Sequence, residues 1–156
     1  MDSINIIFVG RKAMELIMAY SANQTKISYK TGDLATFTEI PYLMEIPELG
    51  GAPEKIDVTV LSDTVKKYIP GIKDYGDLVF KFLYDNSDEN ANYRILKGMD
   101  DTGTTATFKI EYPDGTAHQF DAIPSVKLDA GTINGALTFS STMLLQSDIE
   151  ITNPTA

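Results

Sequence analysis

The chain contains no cysteine, no tryptophan and a single histidine. Without cysteine, disulfides and thiolate metal sites are excluded. A His-based metal cage or a Ser–His–Asp triad would hang on His118 alone. No stretch approaches the roughly 20 apolar residues needed to span a bilayer. Basic residues are scarce: 13 Lys and Arg stand against 22 Asp and Glu, a formal charge of −9. That balance argues against a nucleic-acid binder, which needs a basic face to displace counterions. It does not argue against a protein that nucleic acid must slide past without sticking. The opening residues do not read as a secretory leader. The apolar run Ile4 to Val9 is short, and Arg11 and Lys12 follow it rather than precede it. Synthesis in the cytosol is the expectation.

What remains is 156 residues, 43% hydrophobic and 22% charged, which suits one soluble domain with a sizeable core. Eight Tyr and seven Phe supply the aromatic bulk. Residues 1–17 do not fit the pattern that follows and read as an N-terminal extension or arm, with Met18 the expected natural start. From there the pattern is mostly β. Thr25 to Lys30 alternates and ends at the turn signal Thr31-Gly32-Asp33. Phe37 to Ile46 is interrupted by Pro41, so it is an edge strand or carries a kink. Pro47 to Pro53 is a turn-rich loop, and Lys55 to Leu61 resumes as a strand with Ile56, Val58 and Val60 on one face. Tyr68-Ile69-Pro70-Gly71 breaks the chain. Asp77 to Asp85 reads as a central strand covered on both sides.

A helix is expected from Ser87-Asp88, where a side-chain oxygen can cap an orphan N–H. Ala91, Ile95, Leu96 and Met99 make its apolar stripe, and Asp100 to Gly103 ends it. Three patterned strands follow. In the first, Ala106, Phe108, Ile110 and Tyr112 oppose Thr105, Thr107, Lys109 and Glu111. Pro113-Asp114-Gly115 is a hairpin signal. In the second, Phe120, Ala122, Val126 and Leu128 oppose Gln119, Asp121, Ser125, Lys127 and Asp129. Asn134-Gly135 signals another turn. In the third, Leu137, Phe139, Met143 and Leu145 oppose Thr138, Ser140, Thr142 and Gln146. Ile149 to Ala156 reads as a tail. The expected class is therefore mainly β, a sandwich or half-barrel with one flanking helix, whose sheet edges one copy has no obvious way to close.

Chemical motifs fail on inspection. Asp85 to Asn90 resembles a calcium loop, but counting from Asp85 puts Asn90 where Gly belongs and Leu96 where Glu belongs. Gly98 to Thr105 resembles a phosphate loop, but Thr104 stands where Lys must be, and a helix rather than a strand precedes it. No G-x-S-x-G elbow occurs. Asp100 with Asp101, and Glu111 with Asp114, are turn carboxylates that favour solubility over acid–base work. His118 reads as a solvent-facing strand residue. No catalytic residue, metal site or cofactor is expected.

One block is more specific. IPELGGAPEKIDVTVLSDT from Ile46 to Thr64, continuing as KYIPGIKDYGD from Lys67 to Asp77, resembles the tail tube (major tail) proteins of long-tailed bacteriophages. FLYD from Phe82 to Asp85, YRIL from Tyr93 to Leu96, YPDGT from Tyr112 to Thr116, VKL from Val126 to Leu128 and SDI from Ser147 to Ile149 follow in the right order. The resemblance covers residues 18–151, leaving 152–156 as a C-terminal tail. It implies a structural protein and not an enzyme. Copies would form hexameric rings stacked into a tube that conducts DNA at ejection. Partners would be further copies of the chain and the tail terminator, tape-measure and baseplate proteins, with DNA passing unbound and no membrane involved. The protein would sit in the virion tail after assembly in the host cytoplasm. The loop Pro47, Glu48, Leu49, Gly50, Gly51, Ala52 and Pro53 would lie at ring–ring contacts.

The residue pattern agrees with that picture. Ring closure removes unpaired edges. The small polar set Thr138, Ser140 and Thr142 suits a lumen wall, and net acidity would hold phosphates off over about 8 Å at physiological salt. The alternatives are the same fold in a tail-derived bacteriocin or a type VI-like secretion needle, and a β-sandwich binding module.

Overall fold

The computed structural model describes residues 19–155. The proposed arm 1–17 and the start at Met18 lie outside the described residues. The strands are β1 (Lys26–Lys30), β2 (Thr38–Ile40), β3 (Leu43–Glu45), β4 (Pro53–Asp57), β5 (Tyr68–Lys73), β6 (Leu78–Leu83), β7 (Ala106–Glu111), β8 (Ala117–Leu128), β9 (Thr138–Leu145) and β10 (Glu150–Thr152). The helix α1 (Asn92–Thr102) falls between β6 and β7. Eight strands form one antiparallel sheet in the order β2-β1-β7-β8-β9-β6-β3, with β10 added on β8, while β4 and β5 form a separate hairpin.

Alternation dictates the sheet. Ala106, Phe108 and Ile110 of β7 are buried, as are Leu78, Phe80 and Phe82 of β6. Register carries these rows across the sheet: Phe82 faces Phe139, and Phe108 faces Phe120. Phe82 and Phe139 stack at 5.2 Å, and Phe80 and Phe108 lie 6.4 and 6.0 Å from Phe120. Each buried Phe contributes about 1.5–3 kcal/mol by leaving water, so these rings are the main source of cohesion.

The ends of the sheet meet. β2 and β3 are consecutive in the chain and are joined through Pro41 and Tyr42, the latter at φ 66. Pro41 thus marks a corner, and the curled sheet returns on itself there. Buried Asn92 holds that corner. Its amide nitrogen donates to the Pro41 carbonyl at 2.9 Å and the Leu83 carbonyl at 2.8 Å. Its side-chain oxygen accepts from the Asp85 and Tyr93 amides at 3.2 and 2.6 Å. One carboxamide therefore joins the corner, the end of β6 and the start of α1. The expectation that a single copy leaves its sheet unclosed is met only in part. The outer ends, β2 and β3, are three residues each, and among the described residues the first half of β6 has no outer partner.

The helix starts later than expected. Ser87 and Asp88 sit in the preceding turn, where Asp85 accepts from the Ser87 amide and Asp88 from the Asn90 amide. Ala91 is the N-cap and makes no side-chain bond, because its methyl group carries no acceptor. Leu96 and Met99 are buried as the stripe requires. Gly103, at φ 65, ends α1 in the left-handed conformation that glycine adopts without steric cost.

β8 is twelve residues long and contains Pro124. Its pairing with β7 ends at Ala122, so the missing N–H of Pro124 removes no ladder bond. Two residues on, the Val126 amide donates instead to the Asp100 carboxylate of α1 at 3.0 Å. The C-terminal stretch expected as a tail contributes β10, which pairs Glu150 to Thr152 with Gln119 to Ala117.

Three local expectations are overturned. β6 is covered on one face only: Val79 and Leu83 are exposed, because no second layer among the described residues lies over them. β4 ends at Asp57, where the Asp57 carboxylate captures the Thr59 amide and turns the chain. Tyr68 to Gly71 is not a break. It opens β5, and Pro70 is tolerated because β5 is an edge strand of a two-stranded hairpin.

Candidate self-assembly surfaces

The β4–β5 hairpin stands apart from the main sheet and is shaped by its own polar groups. The Val58 amide donates to the Lys67 carbonyl and the Lys67 amide to the Thr59 hydroxyl. The Asp63 carboxylate accepts from the Val60 amide at 2.9 Å and meets the Lys67 ammonium at 2.7 Å. These bonds hold Asp63 below the usual carboxylate range, the Lys67 contact first and the Val60 amide second. Asp57 is lowered in the same way by Thr59.

With its polar groups turned inward on one another, the hairpin presents apolar side chains to water. Ile56, Val58, Val60, Leu61, Val65, Tyr68, Ile69 and Ile72 are all exposed, Val65 at 72% and Ile72 at 90%. An isolated hairpin is marginal in water. A contiguous exposed apolar surface marks an interaction site.

The loop singled out in the sequence, Pro47 to Pro53, is the root of this hairpin, and Pro53 already belongs to β4. Leu49 packs against the core while Glu48, Gly50, Gly51 and Ala52 are exposed. Gly50 has φ 133, and a Cβ on Gly51 would lie 2.5 Å from the Asp74 carbonyl oxygen. The root is therefore tightly threaded. Beside it, residues Ile72 to Asp77 and Met143 to Leu145 line an open groove of about 640 Å³. Tyr75 donates a hydrogen bond to Asp148 across it, which lowers the Asp148 carboxyl and raises the Tyr75 hydroxyl.

The second surface is the uncovered face of β6, β9 and β8. Register rows read Val79–Thr142–Ser125 and Lys81–Ser140–Lys127. Thr138, Ser140 and Thr142 share this face, as the alternation required. Thr138 is nearly buried, however, and Thr138 and Ser140 both donate to the Asp129 carboxylate, at 2.8 and 2.9 Å. Leu144 is exposed on the same face. Ser141, absent from the expected apolar set, is buried on the core side, whereas Leu137 is half-exposed.

His118 is a correction. It pairs with Ile110 and so lies on the core side of β8, at the rim, with Tyr112 packed edge-on at 5.2 Å. Its Nδ1 is buried without a protein partner, and desolvation pushes the ring's pKa below its ordinary 6.5. Its register partners are Ile110 of β7 and Ile151 of β10, both apolar. Among the described residues no cluster of three or more His, Asp or Glu is placed to hold a metal ion. No helix among the described residues is long and apolar enough to cross a membrane.

The described residues thus form a curled β-sheet with a flanking helix and a projecting hairpin that exposes apolar side chains. The sequence profile of the phage tail tube protein family matches residues 17–153, and the chain belongs to that family. A search of curated protein sequences gave no match. Solved structures share the fold at low identity. A chain of the anti-feeding prophage baseplate is 12% identical with a TM-score of 0.70, covering 89% of this chain and 99% of that one. A chain of the gene transfer agent tail is 18% identical at 0.66, covering 86% and 99%. The SPP1 tail tube is 11% identical at 0.66, covering 88% and 81%. The protein is thus a structural component of a virion tail tube, in a family that is not one of enzymes.

Proposed function

We propose that this chain closes into six-membered rings that stack into a hollow tube through which DNA leaves the particle. The observation that carries the stacking is the hairpin β4–β5, a separate two-stranded sheet whose apolar side chains are exposed to water among the described residues. Its root, Pro47 to Pro53, sets the angle at which the hairpin projects. The unpaired first half of β6 is where a neighbour in the same ring adds its backbone. The uncovered face bearing Thr138, Ser140 and Thr142 faces the lumen, with α1 on the opposite side of the core. Six-fold geometry is supported by the likeness to the gene transfer agent tail, whose structure was refined with C6 symmetry. Residues 18–151 are the tube domain, 1–17 an arm and 152–156 a tail. The tail terminator, tape-measure and baseplate proteins cap, fill and seat the tube, and assembly takes place in the host cytoplasm.

Negative-stain microscopy of concentrated protein tests this reading. Rings or tubes are expected from the native chain, and none from a Val60→Asp/Leu61→Asp/Val65→Asp variant that keeps the native melting temperature. A native chain that stays monomeric at high concentration, or a variant that still makes tubes, overturns it. The same fold in an extracellular injection machine is the second reading, favoured by the likeness to the anti-feeding prophage.

A further inference from the structure

The curled sheet carries a second apolar surface, at the end of β6 away from the hairpin. Tyr42, Leu83, Tyr84, Ala136 and Leu137, with Asp85 and Ser87 among them, line an open depression of about 500 Å³. Tyr42, Leu83 and Leu137 are exposed, and Ile133, in the same β8–β9 loop as Leu137, is almost wholly so. The backbone beneath is fixed. The Leu83 amide donates to the Tyr42 carbonyl at 2.9 Å, and the Tyr84 amide to the Leu137 carbonyl at 3.0 Å. The Tyr84 ring packs on Tyr93 at 4.9 Å. Tyr42 is held at φ 66, a conformation that strains a bulky residue, and its side chain nevertheless stands in water. A preorganised aromatic in an apolar depression with polar neighbours has the make-up of an interface centre. β6 begins at Leu78, five residues after β5 ends at Lys73. The hairpin root and the depression therefore stand at opposite ends of β6, about 17 Å apart along the strand.

We propose that this depression receives the apolar hairpin of the next copy along the tube. This rests on the stacking role given to the hairpin above and names the surface that the hairpin meets. Two arguments make the occupant a second copy. A hairpin meeting another hairpin is an isologous contact, which closes at a pair, whereas a hairpin entering the opposite end of the next copy is heterologous and repeats without limit. Charge favours the same choice. Residues 53–73 carry four lysines against three carboxylates, +1 in a chain of −9. The loops around the depression, residues 84–90 and 129–137, carry Asp85, Asp88, Glu89 and Asp129 and no lysine or arginine. Arg94 of α1 joins the first loop through Asn86, and the adjoining register row brings Lys81, Lys127 and, opposite Lys81, Glu45. With all of these counted, five carboxylates stand against three cations, a balance of −2. Opposite signs fix which ends meet, while the affinity comes from Val60, Leu61 and Val65 leaving water. A tube built this way is polar, with hairpins bared at one end and depressions at the other.

Because the chain has no cysteine, introduced thiols report on single positions. An equal mixture of Val65→Cys and Leu137→Cys chains is assembled and treated with a short thiol-specific cross-linker. Dimers joining position 65 to position 137 are expected to dominate. Leu137→Asp is expected to keep the native melting temperature and to lose tubes. Dimers joining position 65 to itself in place of the mixed product mean that hairpins meet each other. Dimers from Val65→Cys with Leu144→Cys in its place mean that the groove beside the root is the receiver. Either result overturns the depression and leaves hairpin stacking standing, as do normal tubes from Leu137→Asp. A native chain that forms no tubes, with no cross-link at position 65, removes the stacking reading together with this one.

Discussion

Asn92 and Leu96 sit four residues apart on α1, and each tests a different kind of interior bond. Replacing Asn92 with Leu keeps the branched side-chain skeleton, though with bulkier methyl groups, but strands the Pro41 and Leu83 carbonyls and the Asp85 and Tyr93 amides. Each buried group left unpaired costs about 1–3 kcal/mol, so urea denaturation of Asn92→Leu is expected to show a loss of at least ~3 kcal/mol. A loss under ~1 kcal/mol would mean that water replaces the carboxamide at the corner. Leu96→Asp places an unpaired charge at a fully buried position and is expected to abolish cooperative folding, checked by near-ultraviolet circular dichroism. His118 adds a pH dependence. Its folded pKa lies below the ordinary 6.5, so the unfolded chain binds the proton more readily. The neutral ring's contribution is complete above 6.5 and is lost as pH falls through the lowered folded value. Melting temperature is expected to drop from pH 7 to pH 5 in the native chain and to drop less in His118→Leu. Equal slopes would show that the ring does not sense its burial.

The strands that could be read from the sequence are those in which one face is wholly core. β7 and the middle of β8 alternate cleanly because their inner face is packed in the core, where the helix α1 meets β8. The elements that were misread obey a local or absent partner instead. β5 contains Pro70 and Gly71, which look like a break, yet a two-stranded hairpin needs only one of its two edges paired. The helix start moved because Asn92 serves the tertiary corner, a role with no signature in a window of neighbouring residues. His118 was misplaced because it sits near the start of a strand beside a turn, whereas its neighbours in space are Ile110 and Tyr112. The loop Pro47 to Pro53 was proposed for assembly from the family resemblance alone, whereas the larger exposed apolar surface is the hairpin beyond it. In an alternating strand, exposed valines and isoleucines look the same as buried ones. The root is testable as an element. Gly51→Val places a side chain against the Asp74 carbonyl, and Gly50→Val forces φ 133 on a β-branched residue. The double variant is expected to keep the core fold and lose tube formation, as seen by sedimentation velocity and microscopy. Normal tubes would remove the root from the interface.

At the scale of the whole molecule, two forces set assembly, and they respond oppositely to solvent. Copies carrying −9 repel one another over a screening length of about 8 Å at physiological salt. Against this stands the apolar hairpin, whose attraction weakens on cooling and strengthens with sulfate or phosphate salts, which are excluded from protein surfaces. If the hairpin carries the contact, raising sodium chloride relieves repulsion without weakening attraction. Assembled mass, followed by light scattering, is then expected to rise with salt, rise further with sulfate, and fall on cooling. Ion pairing as the main bond gives the reverse: tubes that dissolve as salt increases and change little with temperature. The ion pair within the hairpin, Lys67 with Asp63, is already satisfied inside one copy. It leaves little charge at the tip to offer a neighbour, so the apolar outcome is the one this architecture requires.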